Sequence, residues 1–161
     1  MNYHDITKCD LLNGDGLRVV LWVSGCSHHC KGCQNPQTWD KNSGIPFDKQ
    51  AEDELFEALK PDYISGITFS GGDPLYIANR AEVTRLAKKC KELYPKKNIW
   101  LFTGYKYEEI KHLPIIEYLD VIVDGEFIEE LADINYPFAG STNQKIIRLN
   151  NKKLDFIKEI I

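Results

Sequence analysis

Three cysteines, Cys26, Cys30 and Cys33, stand in one loop at C-x3-C-x2-C spacing, directly behind the apolar run 17–23. Any fold of this chain has to deliver that loop from the end of the element the run forms, and three clustered thiolates make a soft-metal site. The spacing supplies three ligands rather than four. A structural zinc ion takes a closed tetrahedron, whereas a [4Fe-4S] cube held by three cysteines leaves one iron without a protein ligand. An open iron can bind a substrate. Gly25 and Gly32 permit the backbone conformations that wrapping a cube demands. A fourth zinc ligand is at hand in His28, His29, Cys9 or Cys90, so spacing alone leaves zinc open. Disulfides fit poorly, because five cysteines is an odd number and the polar start 1–5 does not read as a signal peptide. A reducing cytoplasm is the expected setting.

Length narrows the architecture. At 161 residues the chain is expected to form a single domain, 1–161, with a charged tail at 150–161. No apolar run approaches the ~20 residues that span a bilayer, so no membrane partner is expected. A net charge of −4 and a pI near 5.6 lack the basic footprint of a nucleic-acid binder.

The order of elements reads as α/β. A strand-like lead-in at 3–12 is followed by the turn Asn13-Gly14-Asp15-Gly16 and a buried strand at 17–24 that delivers the cysteine loop. Asp48 caps a helix over 49–60, stopped by Pro61. The unit then repeats. A strand at 65–70 leaves through Gly71-Gly72-Asp73-Pro74, and Asn79, with Glu82 three residues on, is expected to cap a helix reaching 94. Cys90 lies on the apolar stripe of that helix and reads as core. Further strands are expected at 98–103, 120–124 and 145–149, with short helical pieces over 107–119 broken at Pro114. Such alternation implies a mostly parallel sheet with right-handed crossovers. Consecutive strands then run the same way. The cysteine loop, the Gly-Gly-Asp loop, Thr103-Gly104-Tyr105 and Asp124-Gly125-Glu126 therefore emerge at one edge, where α/β folds bind ligands. About five or six strands cannot close a barrel of the (β/α)8 kind, which takes ~250 residues. The expected fold is an incomplete (β/α) barrel, open on one side.

The cysteine loop resembles the cluster-binding motif of radical S-adenosylmethionine enzymes. Four stretches narrow the likeness: Asn13-Gly14-Asp15-Gly16, Trp22-Val23-Ser24-Gly25-Cys26, Cys33-Gln34-Asn35-Pro36-Gln37-Thr38-Trp39 and Ser70-Gly71-Gly72-Asp73-Pro74-Leu75. From residue 1 to about 149 the chain is similar to activating proteins of anaerobic (class III) ribonucleotide reductase. The resemblance implies a radical-SAM partial barrel in which Cys26, Cys30 and Cys33 ligate three irons of one [4Fe-4S] cluster. The fourth iron would chelate the amino and carboxylate groups of S-adenosyl-L-methionine. Gly71, Gly72 and Asp73 would carry the methionine amino group, and Gly32, Cys33 and Gln34 would lie near the adenine. Many relatives have an aromatic residue at the place of Gln34. The stretch 140–144 matches a family signature usually preceded by an arginine, where this chain has Phe138 and Ala139.

By the same resemblance the reaction is reductive cleavage of S-adenosylmethionine, followed by 5′-deoxyadenosyl-radical abstraction of hydrogen from a glycine of a protein substrate. That substrate would be the large subunit of anaerobic ribonucleoside-triphosphate reductase, and a one-electron donor such as flavodoxin or ferredoxin is implied. The chemistry belongs to the cluster and its cofactor, so no side chain is assigned as catalytic. The alternatives are activation of another glycyl radical enzyme, a small-molecule radical-SAM reaction and, from a different class, a zinc-binding module. His28 and His29 read as solvent-facing loop residues, Arg18 as structural and Trp39 as packing.

Overall fold

The computed structural model describes residues 1–150 and 153–157, with Asn150 and 153–157 described as backbone. Of the expected tail, 151, 152 and 158–161 lie outside the described residues. Eight strands form one sheet: β1 (Asn2–Asp10), β2 (Arg18–Val23), β3 (Ile45–Pro46), β4 (Gly66–Gly71), β5 (Asn98–Phe102), β6 (Val121–Asp124), β7 (Lys145–Asn150) and β8 (Lys153–Ile157). Their spatial order is β3-β1-β2-β4-β5-β6-β7-β8. The sheet ends at two different strands, so it is open rather than closed.

β2, β4, β5 and β6 pair in parallel. The expectation that consecutive strands share a direction holds for these four and fails at the flanks. β1 is antiparallel to β2, and β7 is antiparallel to β6. Parallel neighbours need a crossover of about a dozen residues or more, and only a turn joins β1 to β2. β7 begins with Lys145 opposite Asp124, where β6 ends. The chain over 125–144 therefore leaves and re-enters the sheet at the same edge.

The central strands are buried on both faces, as their near-continuous apolar runs require. Alternate residues sort into two cores. Val19, Leu21, Val23, Ile67, Phe69, Ile99, Leu101 and Ile122 join the main core with helices α1 (Lys49–Ala58) and α2 (Arg80–Leu93). Trp100, Val121, Val123 and Ile146 face the other way, against Tyr136, Phe138 and Ala139 of the 125–144 excursion. Cys90 is fully buried in the main core, as expected. Arg18 is equally buried, donating to Thr68 Oγ1 and to the carbonyls of Ile67, Asn98 and Asp15. Its role is structural. A short helix α3 (Tyr107–Ile110) and a 3-10 turn at Pro114–Tyr118 fill the link between β5 and β6.

Asp48 caps α1 as expected, its Oδ1 accepting from Ala51 N at 2.9 Å. Asn79 precedes α2 but makes no side-chain cap bond. Its buried amide instead donates to Ser24 O at 2.8 Å and to Asp73 O at 3.3 Å, joining the cysteine loop to the Gly-Gly-Asp loop. Backbone bonds complete that junction: Gly72 N to Val23 O (2.8 Å), Asp73 N to Gly25 O (2.7 Å) and Gly25 N to Thr38 O (2.7 Å). The chains lie so close that a Cβ on Gly72 would meet Gly25 O at 2.5 Å. Glycine is needed there for one loop to lie on the other.

Two outcomes follow from this packing. Glu52 of α1 accepts from Arg85 and Lys89 of α2, and Arg85 holds its carboxyl down to about 2, with Lys89 adding and burial opposing. That contribution is complete above the ordinary carboxylate value of about 4.3 and is lost as pH falls toward about 2. Glu52→Gln should lower stability at pH 7 by about 1–3 kcal/mol and shrink the stability lost between pH 7 and pH 3, both read from urea unfolding. Asn79→Ala leaves two buried carbonyls short of a donor, and should cost about 1–3 kcal/mol with faster hydrogen exchange at Gly25 and Asp73.

Candidate iron-sulfur site

At the C-terminal edge of the parallel strands a cavity of about 170 Å³ is lined by Cys26, Cys30 and Cys33, by Gln34, by Gly71-Gly72-Asp73 and by Thr103-Gly104. Gly125, Phe127, Gly140 and Gln144 complete its wall from the 125–144 excursion. All four loops expected at this edge thus reach one cavity. The fourth loop runs on into the excursion, whose Phe127, Gly140 and Gln144 strand counting did not anticipate. Gly32 is not in the lining. It stands in positive φ (+76°) against Glu129, whose carboxylate would meet a Cβ there.

All three thiols are free, and each sulfur meets backbone N–H groups. Burial pushes Cys26 up, opposed by the N–H groups of His28 and His29. Burial likewise pushes Cys30 up, opposed by the N–H of Phe127. Asn35 N donates to Cys33 Sγ at 3.4 Å. Such donors favour thiolate over thiol and are the hydrogen bonds that tune cluster sulfur. Trp39 Nε1, in the same wall, is buried with no hydrogen-bond partner among the described residues, a donor left for a bound acceptor. Among the described residues no three His, Cys, Asp or Glu side chains gather around one point as a single metal ion requires. A cluster makes a different demand, since each cysteine binds its own iron. The donor set fits such a group.

Asp73 is the most heavily hydrogen-bonded group in the site. It is 2% exposed. Oδ1 accepts from Leu75 N (2.8 Å) and Thr103 Oγ1 (2.9 Å), and Oδ2 accepts from Gly104 N (2.9 Å) and is 2.8 Å from His28 Nε2. The Thr-Gly-Tyr loop is therefore the cradle of this carboxylate. Gly104 leaves room for the His28 ring, whose atoms a Cβ would meet at 2.5 Å.

The reading of His28 as a solvent-facing residue is corrected here. Its side chain is 10% exposed and bridges Asp73 to Glu126, Nδ1 lying 2.9 Å from Glu126 Oε2. Hydrogen bonding to Asp73 raises its pKa against burial, and Glu126 adds to the rise. Donating to both carboxylates requires the imidazolium, since a neutral ring carries one proton. No sequence signal gives the direction of a side chain inside a loop. His29 differs, stacking on Trp39 with ring centroids 4.4 Å apart.

The remaining residues are structural in their contacts. Asp124 accepts from Tyr107 N and Lys145 N. Gln144 accepts from Gly140 N and Ser141 N and donates to Gly125 O, binding the two ends of the excursion together. Phe138 sits at φ +62° with its ring against Trp100.

Comparison with known proteins identifies relatives of this chain. A family model described as a 4Fe-4S single cluster domain matches residues 12–147. A protein of Enterobacteria phage T4 named anaerobic ribonucleoside-triphosphate reductase-activating protein is 46% identical over 146 residues, 91% of this chain and 93% of that protein. Proteins of the same name from Vibrio cholerae serotype O1 and Escherichia coli K12 are 43% and 40% identical, over 92% of this chain and 98% and 99% of theirs. Matched by these proteins at 40–46% identity over more than nine-tenths of its length, the chain belongs to the family of anaerobic ribonucleoside-triphosphate reductase-activating proteins.

Proposed function

We propose that the chain, acting as one domain of the partial-barrel radical-SAM type, activates anaerobic ribonucleoside-triphosphate reductase by generating a glycyl radical on its large subunit. One observation carries the reading. Three free cysteines and an acid-tipped glycine loop line one cavity at one edge of the sheet, in a chain that shares 40–46% identity with proteins so named.

Cys26, Cys30 and Cys33 would hold a [4Fe-4S] cluster, their N–H donors favouring the thiolates. When bound, the cluster would supply one electron for the cleavage of S-adenosylmethionine, the chemistry needed to take a hydrogen atom from a glycine Cα of the reductase. Gly71 and Gly72 keep the Asp73 loop against the cysteine loop, so the carboxylate and the cluster ligands share one wall. Asp73 is the seat for the methionine ammonium, and the structure fills that seat with His28 Nε2. A ring nitrogen thus lies where the cofactor's ammonium would go, and His28 has Glu126 as a second partner when it yields. Gln34, in the cavity wall, can hydrogen-bond an adenine edge in place of stacking on it. The electron would come from a one-electron donor such as flavodoxin or ferredoxin. Five free cysteines suit the reducing cytoplasm, and among the described residues no helix is long and apolar enough to cross a membrane.

Anaerobic metal analysis and electron paramagnetic resonance test the reading. The wild-type protein should carry iron and sulfide, and a protein-centred doublet should appear only with reductant, S-adenosylmethionine and the reductase together. Alanine at Cys26, Cys30 or Cys33 should abolish cluster and doublet. A variant with full glycyl radical yield would remove that cysteine as a ligand, and stoichiometric zinc in place of iron would favour a binding module.

A further inference from the structure

The stretch 112–144 contains seven carboxylates and no lysine or arginine, although the whole chain carries a net charge of only −4. Its central part, 126–134, runs alongside the cysteine loop. Phe127 N reaches Cys30, and Glu129 lies against Gly32 and near Lys31. Three large apolar side chains project from this segment: Ile128 is 39% exposed, Leu131 42% and Ile134 101%. Ile128 and Leu131 bracket a 3-10 turn at Glu129–Leu131, where residues three apart fall on one face.

This segment is pinned from behind. Leu131 N bonds Ile128 O, Thr142 N bonds Leu131 O, Asp133 N bonds Gly140 O and Ile128 N bonds Ser141 Oγ. The backbone is held while the apolar side chains face outward, so the cost of ordering a contact surface is already met by the fold. Contiguous exposed apolar residues rimmed by charge mark an interaction surface. At its Ile128 end the segment lines a cavity of about 560 Å³ together with Glu126 and with His28, which also lines the cysteine cavity.

Resting on the proposed reading of the reductase as partner, we propose that the 126–134 face is where that protein substrate docks, through a segment of apolar side chains flanked by lysines or arginines. A glycine that is to meet the cofactor has to arrive across this rim, and the acidic flank of Glu126, Glu129, Glu130 and Asp133 selects a basic counterpart. A small-molecule substrate gains nothing from three outward apolar side chains.

The test uses the cluster-loaded protein. Leu131→Ser/Ile134→Ser and, separately, Glu130→Lys are titrated anaerobically with the reductase large subunit, while reductant-driven cleavage of S-adenosylmethionine is followed without reductase. The apolar pair should weaken reductase binding about tenfold or more, and Glu130→Lys should weaken it and flatten its salt dependence; cleavage and iron content should stay at the wild-type level in both. Wild-type affinity in the apolar pair overturns the proposal. So does a wild-type dimer that the apolar pair makes monomeric, which would assign the face to a second copy. Failure of the underlying chemistry reads separately, as absent cleavage in the wild type, because the titration decides the docking face by itself.

Discussion

The site rests on the contact of two backbones. Where the cysteine loop leaves β2 and the Gly-Gly-Asp loop leaves β4, their peptide groups bond directly, Asp73 N to Gly25 O and Gly72 N to Val23 O. That approach is open only because position 72 carries no side chain. Asn79 then bonds the carbonyls of Ser24 and Asp73 from below with one buried amide. Parallel pairing of β2 with β4 sets the two loops side by side, and the cavity between cysteines and carboxylate follows from that adjacency.

Asp73 is buried, and a buried polar group needs hydrogen-bond partners around it. Thr103, Gly104, Leu75 and His28 supply them. His28 in turn spans to Glu126 on the excursion after β6. The His28 ring therefore links the inner carboxylate to the outer acidic rim, and the 125–144 excursion is part of the site both through Phe127 in the cavity wall beside Cys30 and through Glu126 at His28.

Local pattern carried much of the fold. The apolar runs at 17–24, 65–70, 98–103 and 120–124 became β2, β4, β5 and β6, because strands buried on both faces must be apolar throughout. The stripe through Val83, Leu86, Ala87 and Cys90 became the buried face of α2. Asp48 caps its helix through Ala51 N, whereas Asn79 is drawn off its helix by two loop carbonyls. The directions of β1 and β7 were not legible, since direction depends on whether a connection crosses over the sheet, and the 125–144 segment has too little periodicity to declare its path.

What the residues alone determined was chemistry and sequence order: three thiols in one loop, a glycine-acid turn after the next strand, and the alternation that brings both to one edge. These are properties of neighbours in the chain, which spacing and period record. Only the tertiary structure decided that His28 turns inward to Asp73, that Asn79 serves the loops, and that the acidic excursion closes the cavity with its apolar side chains outward. Each of these pairs residues far apart in sequence, and the partner of a side chain is fixed by the packing of the whole chain.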